Sequence, residues 1–263
     1  MHAESGIAVE KSGEGIVHIR LNRPDRLNAL GVDMVDALLK EITDAVAGHA
    51  RVILIRGTGR AFCAGADLKE RQTMDESARV KHNRAINAAV DALGAAPMPT
   101  ICVINGLAMG GGCEIALACD LRYAAEDAQI GLTEARIGAI PGAGGTQRMP
   151  RVIGTTSALE LMLTGEPVSA QRAAEIGLVN AAVPAAKLDA HVGRIASLIA
   201  SRSPRGAQTI KRLVYRGIEV PLAEGLAQER AALQSILTSA DYAEGLAAFA
   251  EKRAPQFVGG AAT

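Results

Sequence analysis

Tryptophan is absent from this 263-residue sequence, and with three Tyr and three Phe the aromatics make up only 2 %. A core with so few rings packs through aliphatic side chains, Ala and Gly, and any ligand pocket in it is mostly aliphatic. Net charge is missing too, with 28 Lys and Arg against 28 Asp and Glu. No long-range positive field exists to gather nucleic acid or an anionic membrane, although single basic groups can still meet a phosphate. A near-zero net charge also tolerates self-association. No apolar run reaches the roughly 18 residues of a membrane span, and Met1–Glu10 lacks the basic-then-apolar order of a secretory leader. Cys63, Cys102, Cys113 and Cys119 form no CxxC pair and mostly sit among apolar neighbours. They read as buried thiols of a reducing cytosol. The expectation is a cytoplasmic protein with no membrane and no nucleic-acid partner.

Several chemistries lack their residues. HExxH, GxSxG and an acidic calcium loop are missing, and His2, His18, His49, His82 and His191 show no metal-ligand spacing. No metal site is expected. Gly57-Thr58-Gly59 follows a strand signal but has no third glycine at the dinucleotide spacing.

What is present is 49 % apolar residue content, enough for one large domain or one core with a helical appendage. Gly15–Leu21 alternates like a half-buried strand. Val32–Val46 has helical spacing of apolar residues and is closed by Gly48. Arg51–Arg56, Thr100–Ile104 and Leu121–Ala124 read as strands, and Arg84–Leu93 and Cys113–Cys119 as helices. Ala61–Lys69 is a turn into a short helix, residues 70–82 carry no firm signal, and Gly138–Pro150 is turn-rich. Beyond Thr155 the pattern is helical, with one short strand near Leu178–Val183 and breaks at Pro184 and Pro204. The strand–helix core is expected to end near Pro150.

Three segments carry possible chemistry. In Asn105–Glu114 (NGLAMGGGCE) a strand ends, three glycines follow, and an apolar helix begins. Glycines let a ligand approach the main chain, and a helix N-terminus offers unpaired N–H groups to a phosphate or an oxyanion. The phosphate version lacks the Gly-Lys-Ser/Thr of a P-loop. Read alone, the segment is equally a tight junction with Glu114 as a first-turn acid. Phe62–Leu68 (FCAGADL) is a second turn–helix junction, where Asp67 can be no more than a cap. In Leu132–Gly138 (LTEARIG), Thr133 can cap a short helix that starts with Glu134. Together, Glu114 and Glu134 can hold one water, one as base and one as acid, with like charge and desolvation raising at least one pKa.

At these residues the chain resembles the enoyl-CoA hydratase (crotonase) family. The matching stretches are Leu21–Leu30 (LNRPDRLNAL), Ala61–Glu70 (AFCAGADLKE), Asn105–Asp120, Gly131–Arg151, Leu163–Val183 and Glu244–Phe257 (EGLAAFAEKRAPQF). The resemblance implies an α/β fold, a crotonase-like spiral of ββα units over residues 1–200, with a C-terminal helical trimerisation region over 201–263. It implies a homotrimer or a dimer of trimers. By position, Ala66 and Gly111 become oxyanion-hole amides, Glu114 the residue that activates water, and Glu134 the acid that protonates C2. CoA contacts fall at Arg26, Ala29, Ala64, Ala66, Asp67 and Leu68, with Phe249 and Lys252 reaching the CoA of an adjacent subunit. Arg26 stands where relatives often carry Lys. Residues 70–82 correspond to the variable segment beside the acyl pocket. No separate cofactor is implied, because coenzyme A is part of the acyl-CoA thioester substrate.

The implied activity is hydration of a 2-enoyl-CoA to a 3-hydroxyacyl-CoA. The same scaffold leaves other readings open: a branched-substrate hydratase such as one for 3-methylglutaconyl-CoA, which Gly131–Arg151 also resembles; an enoyl-CoA isomerase; or a non-catalytic acyl-CoA- or RNA-binding relative.

Overall fold

The computed structural model describes residues 6–258. The chain opens with β1 (Ile7–Lys11), β2 (Ile16–Leu21), α1 (Val32–Ala47) and β3 (Val52–Gly57). In α1 the stripe Met34, Val35, Leu38, Ile42 and Ala45 is buried, as the helical spacing requires. Strand β3 is buried on both faces at Val52–Ile55, which fits a parallel sheet covered on two sides.

A repeating path follows. β3 leads to β4 (Ala61–Cys63), then α2 (Leu68–Gln72) and α3 (Glu76–Ala95). β5 (Thr100–Ile104) leads to β6 (Leu107–Met109) and α4 (Gly111–Ala118). β7 (Leu121–Ala125) leads to β8 (Gln129–Gly131). In each round the first strand joins a six-stranded sheet and the second a four-stranded one. The orders are β1-β2-β3-β5-β7-β10 and β4-β6-β8-β9. This is the expected spiral of ββα units. Both sheets are parallel except for β1 and β9.

The remainder is α5 (Gly145–Ile153), α6 (Thr155–Thr164), β9 (Val168–Ser169), α7 (Ala170–Glu175), β10 (Ala181–Val183), α8 (Ala185–Ala200), α9 (Pro204–Gly217), α10 (Leu222–Leu237) and α11 (Ala240–Glu251). The sheets therefore extend past Pro150: β10 falls within the strand expected near Leu178–Val183, and β9 closes the smaller sheet from a position that the helical pattern hid. Helix α5 occupies part of the supposed turn region and runs through Pro150, whose missing N–H gives up one hydrogen bond of the ladder. Helix α3 starts inside residues 70–82, because the Asp75 carboxylate accepts from the Ala78 N–H at 2.7 Å and caps it.

The core is aliphatic, as the composition requires. Phe62 is its one fully buried large ring, in one buried cluster with Ile19, Leu21, Leu38, Ile53, Ile55 and Ile101. All four cysteines are buried free thiols. Helices α9 and α10 leave Ile210, Val214, Ile218 and Leu222 largely exposed. Among the described residues no helix is long and apolar enough to cross a membrane.

Candidate active site

The spiral brings the ends of β4, β6 and β8 together, and the turns that leave them line one cavity of about 420 Å³. Ala64, Gly65 and Ala66 come from the first turn, Gly110, Gly111 and Glu114 from the second, and Thr133 and Glu134 from the third. Three segments remote in sequence thus meet because their strands are neighbours in the smaller sheet.

Ala66 and Gly111 bring two backbone amides to the wall of this space. Leu30 forms an isolated bridge with Ala66: the Leu30 N–H donates to Gly65 O at 2.8 Å, and the Asp67 N–H donates to Leu30 O at 3.1 Å. Extended backbone alternates its polar groups, so the Ala66 N–H points away from Leu30. Gly111 opens α4, where the first N–H groups of a helix have no intrahelical acceptor. Neither amide finds a partner among the described residues. Their backbones lie close together: a methyl group on Gly111 would sit 3.8 Å from the Ala66 nitrogen, and one on Gly65 would sit 3.3 Å from the Gly111 nitrogen.

Glu114 is 3 % exposed. Its Oε1 accepts two N–H groups, from Ala143 at 2.6 Å and Gly145 at 2.9 Å, which leaves Oε2 for another partner. Burial raises its pKa, and the two N–H bonds work against that rise. Glu134 begins a short 3-10 turn, Glu134–Ile137. Its Oε2 is buried with no hydrogen bond. Burial, with Glu114 as a smaller contributor, pushes its pKa up to about 7. Burial thus biases both acids toward holding a proton, but two N–H groups oppose it at Glu114, whereas Glu134 Oε2 has no donor among the described residues.

The other sequence-predicted residues divide into two groups. Ala64 and Leu68 line the cavity. Asp67 lies behind it, 3.4 Å from Arg23 and 3.7 Å from Arg26, and caps α2 by accepting from the Glu70 N–H. Its carboxylate is committed to this network. Ala29 is buried at the same corner. Phe249, 87 % exposed on α11, and Lys252, which ends that helix, do not line this chain's cavity.

Sequence reasoning missed Arg71 and Asn83, which line the cavity from α2 and α3. Arg71 stands one helical turn beyond Asp67. A helix of five residues is too short to show a period, so the sequence carries no signal that singles Arg71 out.

The whole described fold and the matched sequence point to one group of proteins. Residues 11–260 match the family model described as enoyl-CoA hydratase/isomerase. A crystal structure of enoyl-CoA hydratase from Bacillus anthracis superposes with a TM-score of 0.94 at 42 % identity, covering 97 % of this chain and all of that one. The enoyl-CoA hydratase domain-containing protein 2, mitochondrial, of Homo sapiens is 42 % identical over 94 % of this chain and 86 % of its own length. An enoyl-CoA isomerase/hydratase, fer4, of Mycosarcoma maydis is 37 % identical over 93 % of both chains.

Proposed function

The chain belongs to the enoyl-CoA hydratase/isomerase family, and from that premise we propose that it is a hydratase, adding water reversibly across the 2,3 double bond of an enoyl-CoA. The observation that carries this reading is the pairing, in one cavity, of two carboxyl groups, one held by two N–H donors and one with a buried oxygen that has none, and two unpartnered main-chain N–H groups.

The chemistry follows from those groups. The thioester oxygen takes the Ala66 and Gly111 N–H groups, which bind it more strongly as it gains enolate charge; one such donor is worth about 3 kcal/mol. Water sits between Glu114 and Glu134. Glu114 Oε2 takes a proton from the water as its oxygen bonds to C3. Electrons of the double bond move into the enolate, and the Glu134 carboxyl group gives its proton to C2. One proton is taken up and one delivered, so a single exchange between the two acids resets the site.

Arg26, exposed beside Asp67, is supported as a phosphate contact because Arg23 also serves that carboxylate, leaving guanidinium donors on Arg26 free. We assign CoA contacts to Ala29, Ala64, Asp67 and Leu68 as well, and a contact with a neighbouring subunit's CoA to Phe249 and Lys252. The apolar face left open on α9 and α10 supports assembly into a trimer, or a dimer of trimers, through residues 201–263. Four unpaired thiols support a reducing compartment, and we keep the cytoplasm as the proposed one.

The test is turnover of crotonyl-CoA, followed as loss of the conjugated enoyl absorbance. Glu114→Gln and Glu134→Gln should each abolish it while CoA binding survives. A double-bond shift without water incorporation would make the protein an isomerase. Binding with no turnover of any enoyl-CoA would remove it from the enzymes.

A further inference from the structure

Arg71 is a half-buried guanidinium in a cavity whose other walls are largely backbone and aliphatic side chains. Its Nε donates to His82 Nδ1 at 3.3 Å, and its remaining nitrogens find no acceptor among the described residues. Holding a cation there costs solvation, and an apolar acyl chain would return none of it.

A second donor stands nearby. Asn83 also lines the cavity, and its carbonyl oxygen accepts from Asn87 Nδ2 at 3.1 Å. That bond turns its own amide nitrogen toward Gly142, where a methyl group would come within 2.9 Å of it. The Asn83 nitrogen has no acceptor among the described residues. Arg136, the other arginine of the lining, is committed to Glu166 at 2.6 Å. His82 is 3 % exposed and accepts the Arg71 N–H on Nδ1, so its ring is neutral and holds the guanidinium in place.

We propose that the acyl pocket is built for an acyl-CoA carrying a second carboxylate, which Arg71 binds with help from the Asn83 amide. A guanidinium presents a planar pair of N–H groups that matches a carboxylate. Without such a cation, a second carboxylate would be repelled by the ionised Glu114, whose charge already reaches Arg71. Neutral linear enoyl groups would bind but leave the donors unmatched. The proposal rests on the hydratase reading for its kinetic test only.

The binding arm compares glutaryl-CoA with pentanoyl-CoA, saturated thioesters of equal chain length, by titration calorimetry. The wild type should bind glutaryl-CoA more tightly, and Arg71→Met should shrink the ratio of affinities by about 10- to 100-fold, the range for one charged hydrogen-bonded contact. Arg71→Lys should recover part of it. The kinetic arm compares kcat/KM for 2-pentenedioyl-CoA and 2-pentenoyl-CoA, and the same ratio should fall in Arg71→Met. Equal affinity for the two saturated ligands in the wild type would overturn the proposal. So would an Arg71→Met variant that loses both enoyl substrates in equal proportion, because Arg71 would then serve only the two glutamates. If neither enoyl-CoA is hydrated but the glutaryl-CoA preference persists and depends on Arg71, the hydratase reading fails and the carboxylate site stands.

Discussion

The Lys211 ammonium on α9 lies 2.8 Å from Asp120 Oδ2, at the turn between α4 and β7, with the two side chains only 10 % and 16 % exposed. The same carboxylate oxygen accepts from the Thr100 N–H at 2.7 Å and the Thr100 hydroxyl at 3.1 Å, and Lys211 also donates to the Met98 carbonyl at 3.1 Å. The C-terminal helices are thus fastened to the strand edge from which β5 and β7 start.

Breaking this pair from one side leaves a shielded carboxylate without its counter-ion. Lys211→Met should cost about 3 kcal/mol, as one-sided removal of buried ion pairs does. Urea unfolding followed by circular dichroism measures it. Adding Asp120→Asn should cost less than the sum of the single changes, because the uncompensated charge is then gone. Strict additivity would mean that the two groups do not interact energetically.

A second prediction concerns Gly110, which has φ +50° and ψ −121° and donates its N–H to Gly131 O at 2.9 Å. A methyl group there would meet Glu134 Oε1 at 2.9 Å. Gly110→Ala therefore strains the backbone and pushes the carboxyl group away from the water position. A displacement of about 1 Å at a reacting group lowers turnover about 100-fold. Crotonyl-CoA kinetics should show that loss in kcat while far-ultraviolet circular dichroism stays native. Activity within twofold of the wild type would mean that the position of Glu134 is not fixed by this glycine.

The parts of this fold visible in the sequence were those with enough residues to show a period. The stripe of α1, the alternation of β2 and the apolar runs of β3 and β5 each fall within two residues of the observed element. Strands β4, β6 and β8 have three residues each, too few for any period, and they exist because the spiral lays them side by side. β1 was missed because only Ile7 of its five residues is buried. Glu114 and Glu134 were legible as a pair able to hold one water, and the family resemblance gave them roles; locally each is also an ordinary first-turn acid. Their meeting in one cavity depends on β6 pairing with β8, a contact no local pattern reports. Arg71 stayed hidden among the charged residues of a short helix, and only the cavity distinguishes it from Lys69 and Glu70.

The final prediction is the pH dependence of hydration. Glu134 must carry a proton to deliver it to C2, and its pKa stands at about 7 because burial, seconded by Glu114, disfavours its charge. Raising the pH through that value removes the proton, so kcat/KM for crotonyl-CoA should fall above about pH 7 toward tenfold per unit. Glu114 must be ionised to accept a proton from water. Burial raises its pKa as well, so activity should fall again on the acid side once Glu114 is neutral. The active form holds one proton between the two acids, and the pair titrates in two macroscopic steps. Adding water to the double bond releases no net proton, so dehydration needs that same singly protonated pair and should share the profile. Initial rates from pH 5.5 to 9 in both directions test this. In Glu134→Gln any residual activity should lack the alkaline limb, because glutamine has no proton to lose. A wild-type rate that stays flat to pH 9 would show that the C2 proton comes from another source.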